Sequence, residues 1–133
     1  MEKRKKSKNI METNTTLVWL DDARNPYDHD WLDRFSPLQK PYEVIWVKNY
    51  DEFVDWITDN GIPEAICFDH DLGEDHDTSD EKSGMKAAKW LIDYCLNNDL
   101  YPPLWSVQSD NPAGKDNING IILSYIKFRK KYL

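Results

Sequence analysis

Cysteine is nearly absent from this 133-residue chain: Cys67 and Cys95 are the only two. Their separation fits neither a metal site nor a redox pair, which excludes a disulfide scaffold and leaves two buried thiols in a reducing compartment. Long apolar runs are missing as well. None approaches the roughly 18 residues that cross a bilayer, and the N-terminus has no apolar signal region, so a cytoplasmic protein without a membrane partner is expected. Excess positive charge is also lacking: the net charge is −7. Lys3, Arg4, Lys5, Lys6 and Lys8 stand against Glu2, so this total divides into +4 over the first ten residues and −11 over the rest. Such an acidic body repels a phosphate backbone, and duplex DNA is not an expected partner. The basic start reads as a flexible tail over residues 1–14, with Met11 a second candidate start, and residues 15–133 as one domain.

What is present is bulky. Six Trp, seven Tyr and four Phe supply enough apolar surface for a packed core. The apolar pattern predicts four strands, at Thr15–Leu20, Tyr42–Val47, Ala65–Phe68 and Leu104–Val107. Between them lie a weak helical segment around Trp31, Leu32 and Phe35, a helix over Tyr50–Asn60 and another over Met85–Asn97; a last helix starts near Asn117. Asn49 followed by Glu52 has the form of a capping box, and Gly61 with Pro63 supplies a stop. Asp69–Lys82 reads as a long polar loop, and Gln108–Lys115 as a turn-rich one. Strands alternating with helices imply right-handed crossovers and a three-layer α/β fold with a parallel sheet of order 2-1-3-4. No fifth strand is evident.

In such a sheet, ligands sit outside the carboxyl ends of the strands. There the sequence places Asp21 and Asp22 after the first strand, and Asp69 and Asp71 after the third. Four converging carboxylates repel unless a cation offsets them, and hard oxygen ligands suit Mg²⁺. His70 has the titration range for proton transfer near neutrality, whereas His29 and His76 read as surface residues. Arg24 has the geometry to clamp a phosphate oxygen or pair with an acid. After the fourth strand, Ser109, Asn111, Gly114 and the helix start near Asn117 combine short polar groups, a close-approach glycine and free helix N–H groups, a set that favours phosphate.

Three blocks carry a family resemblance: Leu20-Asp21-Asp22-Ala23-Arg24-Asn25-Pro26, Phe68-Asp69-His70-Asp71-Leu72-Gly73 and Ser109-Asp110-Asn111-Pro112-Ala113-Gly114-Lys115-Asp116-Asn117-Ile118. In order and spacing they resemble the cyclic-phosphate processing receiver-like domains. The resemblance implies a receiver-like (flavodoxin-like) fold, with Asp21 and Asp22 as the acid pair that holds Mg²⁺ and Asp69 as the acid that accepts phosphate in receivers. It also implies a nucleotide or an RNA end carrying a cyclic phosphate as ligand. Gln108 stands where the family usually has histidine; it can hydrogen-bond a phosphate but cannot shuttle protons. The lysine that ordinary receivers carry after a fifth strand has no counterpart.

Two functions from different classes follow. One is a metal-dependent phosphoesterase acting on cyclic phosphates, with Asp69 and His70 catalytic. The other is a non-catalytic module that binds a phosphorylated or cyclic nucleotide or a protein partner. The acid cluster favours the first, and Gln108 the second.

Overall fold

A computed structural model describes residues 15–69, 84–108 and 112–133. In chain order the elements are β1 (Thr16–Leu20), α1 (Trp31–Phe35), β2 (Glu43–Val47), α2 (Tyr50–Asn60), β3 (Ala65–Phe68), α3 (Gly84–Asn97), β4 (Leu104–Val107) and α4 (Pro112–Tyr132). The four strands form one parallel sheet of order β2-β1-β3-β4, so the expected α/β architecture and strand order both hold.

Burial explains that order. Every residue of β1 and β3 is buried, as the continuous apolar runs of centrally placed parallel strands require. In β2 and β4 exposure falls from the first residue to the last, which suits sheet edges whose carboxyl ends turn inward. Register is in step across the sheet: Leu20 lies opposite both Val47 and Phe68, and Phe68 opposite Val107.

Alternation along the strands divides the core in two. Val18, Leu20, Ile66 and Phe68 face Phe53 and Ile57 of α2, Ala87, Ala88 and Leu91 of α3, and Ile118 and Ile122 of α4. On the opposite face Leu17, Trp19, Ala65 and Cys67 are covered by Trp31, Leu32 and Phe35 of α1, with Leu38 and Tyr42. Each large side chain so buried contributes about 1.5–3 kcal/mol.

The helix signals behave as their chemistry predicts. Asn49 Oδ1 accepts the Glu52 N–H at 2.8 Å, and the Glu52 carboxylate accepts the Lys48 N–H at 2.8 Å. Gly61 takes φ +87°, a region open to glycine, and donates its N–H to Ile57 O. The last helix differs from expectation, since it begins at Pro112 rather than near Asn117. Proline suits the first helical position, where its missing N–H would have had no partner, and it outweighs the turn character of Ala113-Gly114-Lys115. Gly114 and Asn117 therefore sit within α4, the first buried and the second exposed, and neither belongs to a loop. Among the described residues no helix is long and apolar enough to cross a membrane.

Candidate functional site

The residue after each of β1, β3 and β4 extends the sheet ladder by one rung. Asp21 N–H donates to Val47 O at 3.0 Å, Asp69 N–H to Leu20 O at 2.9 Å, and Gln108 N–H to Phe68 O at 2.9 Å. The backbones of these three polar residues are thus fixed by strand register at the carboxyl edge. All three are buried: Asp21 is 1 % exposed, Asp69 7 % and Gln108 0 %.

One carboxylate oxygen from each of Asp21, Asp22 and Asp69 lies within 4.8 Å of the others. Three of the four expected acids therefore converge; Asp71 lies outside the described residues, as do His70, Ser109 and Asn111. Asp21 is held from several sides. Its Oδ1 accepts the Ala23 N–H at 2.9 Å and the Arg24 N–H at 2.8 Å, which closes a tight turn. Its Oδ2 is buried with no hydrogen-bond donor among the described residues. Arg24 Nη1 lies 3.5 Å from it, an ion pair rather than a hydrogen bond.

Arg24 joins two strand ends. Nη1 donates to Gln108 O at 2.7 Å, and the guanidinium lies 5.1 Å from the centre of the Trp31 ring. Of the two alternatives read from the sequence, the structure shows the pairing with an acid, Asp21.

Gln108 departs from expectation. Its Nε2 donates to Leu20 O at 3.2 Å and Cys67 O at 3.4 Å, so both amide hydrogens point to backbone carbonyls and none is left for a phosphate. Its Oε1 is buried without a donor among the described residues. Gln108 thus braces the ends of β1, β3 and β4, and the phosphate contact expected of it is not available in this arrangement.

Two tryptophans that pattern reading assigned only to strands also reach the site. Trp46 Nε1 donates to Asp21 O at 2.8 Å, and Trp19 Nε1 to Arg24 O at 3.0 Å. Their sequence signal is faint: each stands one residue before the last of its strand, ahead of the segment it contacts or its neighbour. Cys67 is no nucleophile. Burial pushes its thiol up to about 12, and the hydrogen bond from Ser106 offsets only part of that rise.

A family described as the cyclic-phosphate processing receiver domain matches residues 16–124. The chain belongs to that family. The match spans β1 through most of α4 and takes in all three acids of the cluster. Among solved structures, one described as a yeast Spc42 trimeric coiled-coil segment, amino acids 181–211, fused to another structure, is similar with a TM-score of 0.53. It is 13 % identical over 88 % of this chain and 79 % of that one, a likeness of fold alone. No curated protein matches the chain. For this receiver domain, then, fold and family agree, and the acid cluster could hold a metal as in receivers.

Proposed function

We propose that this domain is a metal-assisted phosphoesterase that opens cyclic phosphates on nucleotides or RNA ends. The observation that carries the reading is the grouping of Asp21, Asp22 and Asp69, with one Asp21 oxygen buried and without a hydrogen-bond donor among the described residues. A buried carboxylate oxygen without a hydrogen bond is costly, and three neighbouring carboxylates repel, so the site fits a hard divalent cation such as Mg²⁺. Bound there, the ion would polarise a phosphoryl oxygen and offset the carboxylate charge.

The remaining chemistry falls to side chains. Asp69, its backbone tied to Leu20 O, is assigned to accept the proton of the attacking water. The water oxygen forms a bond to phosphorus while one ring P–O ester bond breaks. The departing ester oxygen takes a proton, a role assigned in this proposal to His70, and the product is a linear monophosphate beside a free hydroxyl. Arg24 places a cation at the rim of the acid cluster. Ser109, Asn111 and the first turn of α4 are assigned to the phosphate oxygens, α4 through backbone N–H groups near Gly114.

One observation favours a non-catalytic binding module instead. Gln108 has no titratable proton, so it cannot act as a general acid where the family usually has histidine. Turnover separates the readings. Asp69→Asn should lower hydrolysis of a 2′,3′-cyclic nucleotide by at least about 100-fold while the melting temperature stays within a few degrees. Undiminished turnover in the folded variant would remove Asp69 from the mechanism.

A further inference from the structure

Trp19 and Trp46 are register partners on the adjacent strands β1 and β2, and both belong to the core face covered by α1. From there the indole N–H of Trp46 reaches the carbonyl of Asp21, and that of Trp19 reaches the carbonyl of Arg24. These carbonyls bracket the segment Asp21–Arg24, which supplies two of the three clustered acids and the neighbouring guanidinium. Between the brackets, Asp21 Oδ1 closes the turn onto the N–H groups of Ala23 and Arg24. The Asp21 N–H is held by Val47 O.

We propose that Trp46 and Trp19 are positioning residues for the cation site: their indole N–H groups hold the acid segment in a ligand-ready shape. The inference rests on the metal-assisted reading above and adds residues that touch neither ion nor substrate. Three like charges within 4.8 Å push the segments that carry them apart, so something must hold the Asp21–Arg24 turn against Asp69. A further lysine or arginine in that role, beside Arg24, would neutralise the carboxylates and compete with the cation. An indole N–H carries no net charge, and here each donates to a main-chain carbonyl and occupies no carboxylate oxygen. Trp19 is fully buried, so if the turn moved away its N–H would lose its partner where no water reaches. Lys48 Nζ lies 4.3 Å from the centre of the Trp46 ring and helps to seat that indole at the sheet edge. Groups that fix metal ligands in this way commonly govern affinity by about 10–100-fold.

The test is Mn²⁺ binding, followed by electron paramagnetic resonance, for the wild-type chain, Trp46→Phe, Trp19→Phe and Trp90→Phe. Phenylalanine keeps an aromatic ring and removes the N–H. Trp90 stacks on Tyr94 and meets Phe53 edge-on in the other core, so its replacement controls for loss of a large ring. Trp46→Phe and Trp19→Phe should each weaken Mn²⁺ about ten-fold, with Trp90→Phe at the wild-type value. A second readout needs no variant to fold. In ¹⁵N spectra of the wild-type chain titrated with Mg²⁺, the Trp19 and Trp46 indole N–H signals should shift together with one midpoint, and that of Trp90 should stay. If the wild-type chain binds neither ion, the metal-assisted reading falls and this inference with it. If it binds, yet Trp46→Phe and Trp19→Phe bind equally well and the wild-type Trp19 and Trp46 indole signals do not move, the positioning role alone is overturned.

Discussion

Asp21, Asp69 and Gln108 show how far single residues could be read. The two acids were legible because an apolar strand that ends abruptly in a carboxylate has few other meanings, and parallel topology brings such ends together. Gln108 was legible as a polar residue at the edge, but not in its partners, because nothing in a sequence tells whether an amide faces a ligand or a carbonyl. The carbonyls of Leu20 and Cys67 decide it. Cys67 is a similar case, read as a buried thiol and found fully buried against Ser106. Its folded value of about 12 lies above the ordinary 9.0, so the native state keeps a proton that the unfolded state releases. This contribution to stability is fully present below about pH 9 and is lost as pH rises towards about 12. In urea titrations between pH 9 and 11, Cys67→Ala should therefore flatten the fall of unfolding free energy with pH by up to about 1.4 kcal/mol per unit. Equal slopes for both proteins would contradict the assignment.

Among the elements, those with paired local signals were read well. The Asn49–Glu52 box and Gly61 bracket α2 at the expected residues. Asn49→Ala should cost about 1 kcal/mol, measured as a lower urea midpoint with an unchanged slope; an unaltered midpoint would mean that the cap bond contributes nothing. The start of α4 was misplaced because two local preferences conflict there. Gly114 speaks for a turn, Pro112 for a first helical position, and burial of Gly114 together with Ile118, Ile122 and Tyr125 along one face settles the matter in favour of helix. Trp19 and Trp46 were legible as strand residues, since an apolar ring in a strand predicts packing. The direction of an indole N–H depends on a turn that only the folded chain supplies.

For the molecule as a whole, the strand order was within reach because alternation of strands and helices leaves few right-handed, parallel solutions, and complete burial of β1 and β3 then marks the centre of the sheet. That order gives the site its position. Asp21 and Asp69 follow neighbouring central strands, and Gln108 follows the next one, so a single carboxyl edge gathers the polar groups the chain has placed there. The net charge of −7 makes this concentration of acids harder to sustain, which adds weight to a cation as the partner of the cluster. The most direct measurement is phosphorus NMR of the purified protein with a 2′,3′-cyclic nucleotide and with a short RNA ending in a cyclic phosphate, each in Mg²⁺ and in chelator. Conversion of at least one of them to a linear monophosphate is expected in Mg²⁺ and none in chelator. An unchanged cyclic signal in Mg²⁺, or conversion that proceeds equally in chelator, would contradict the metal-assisted reading.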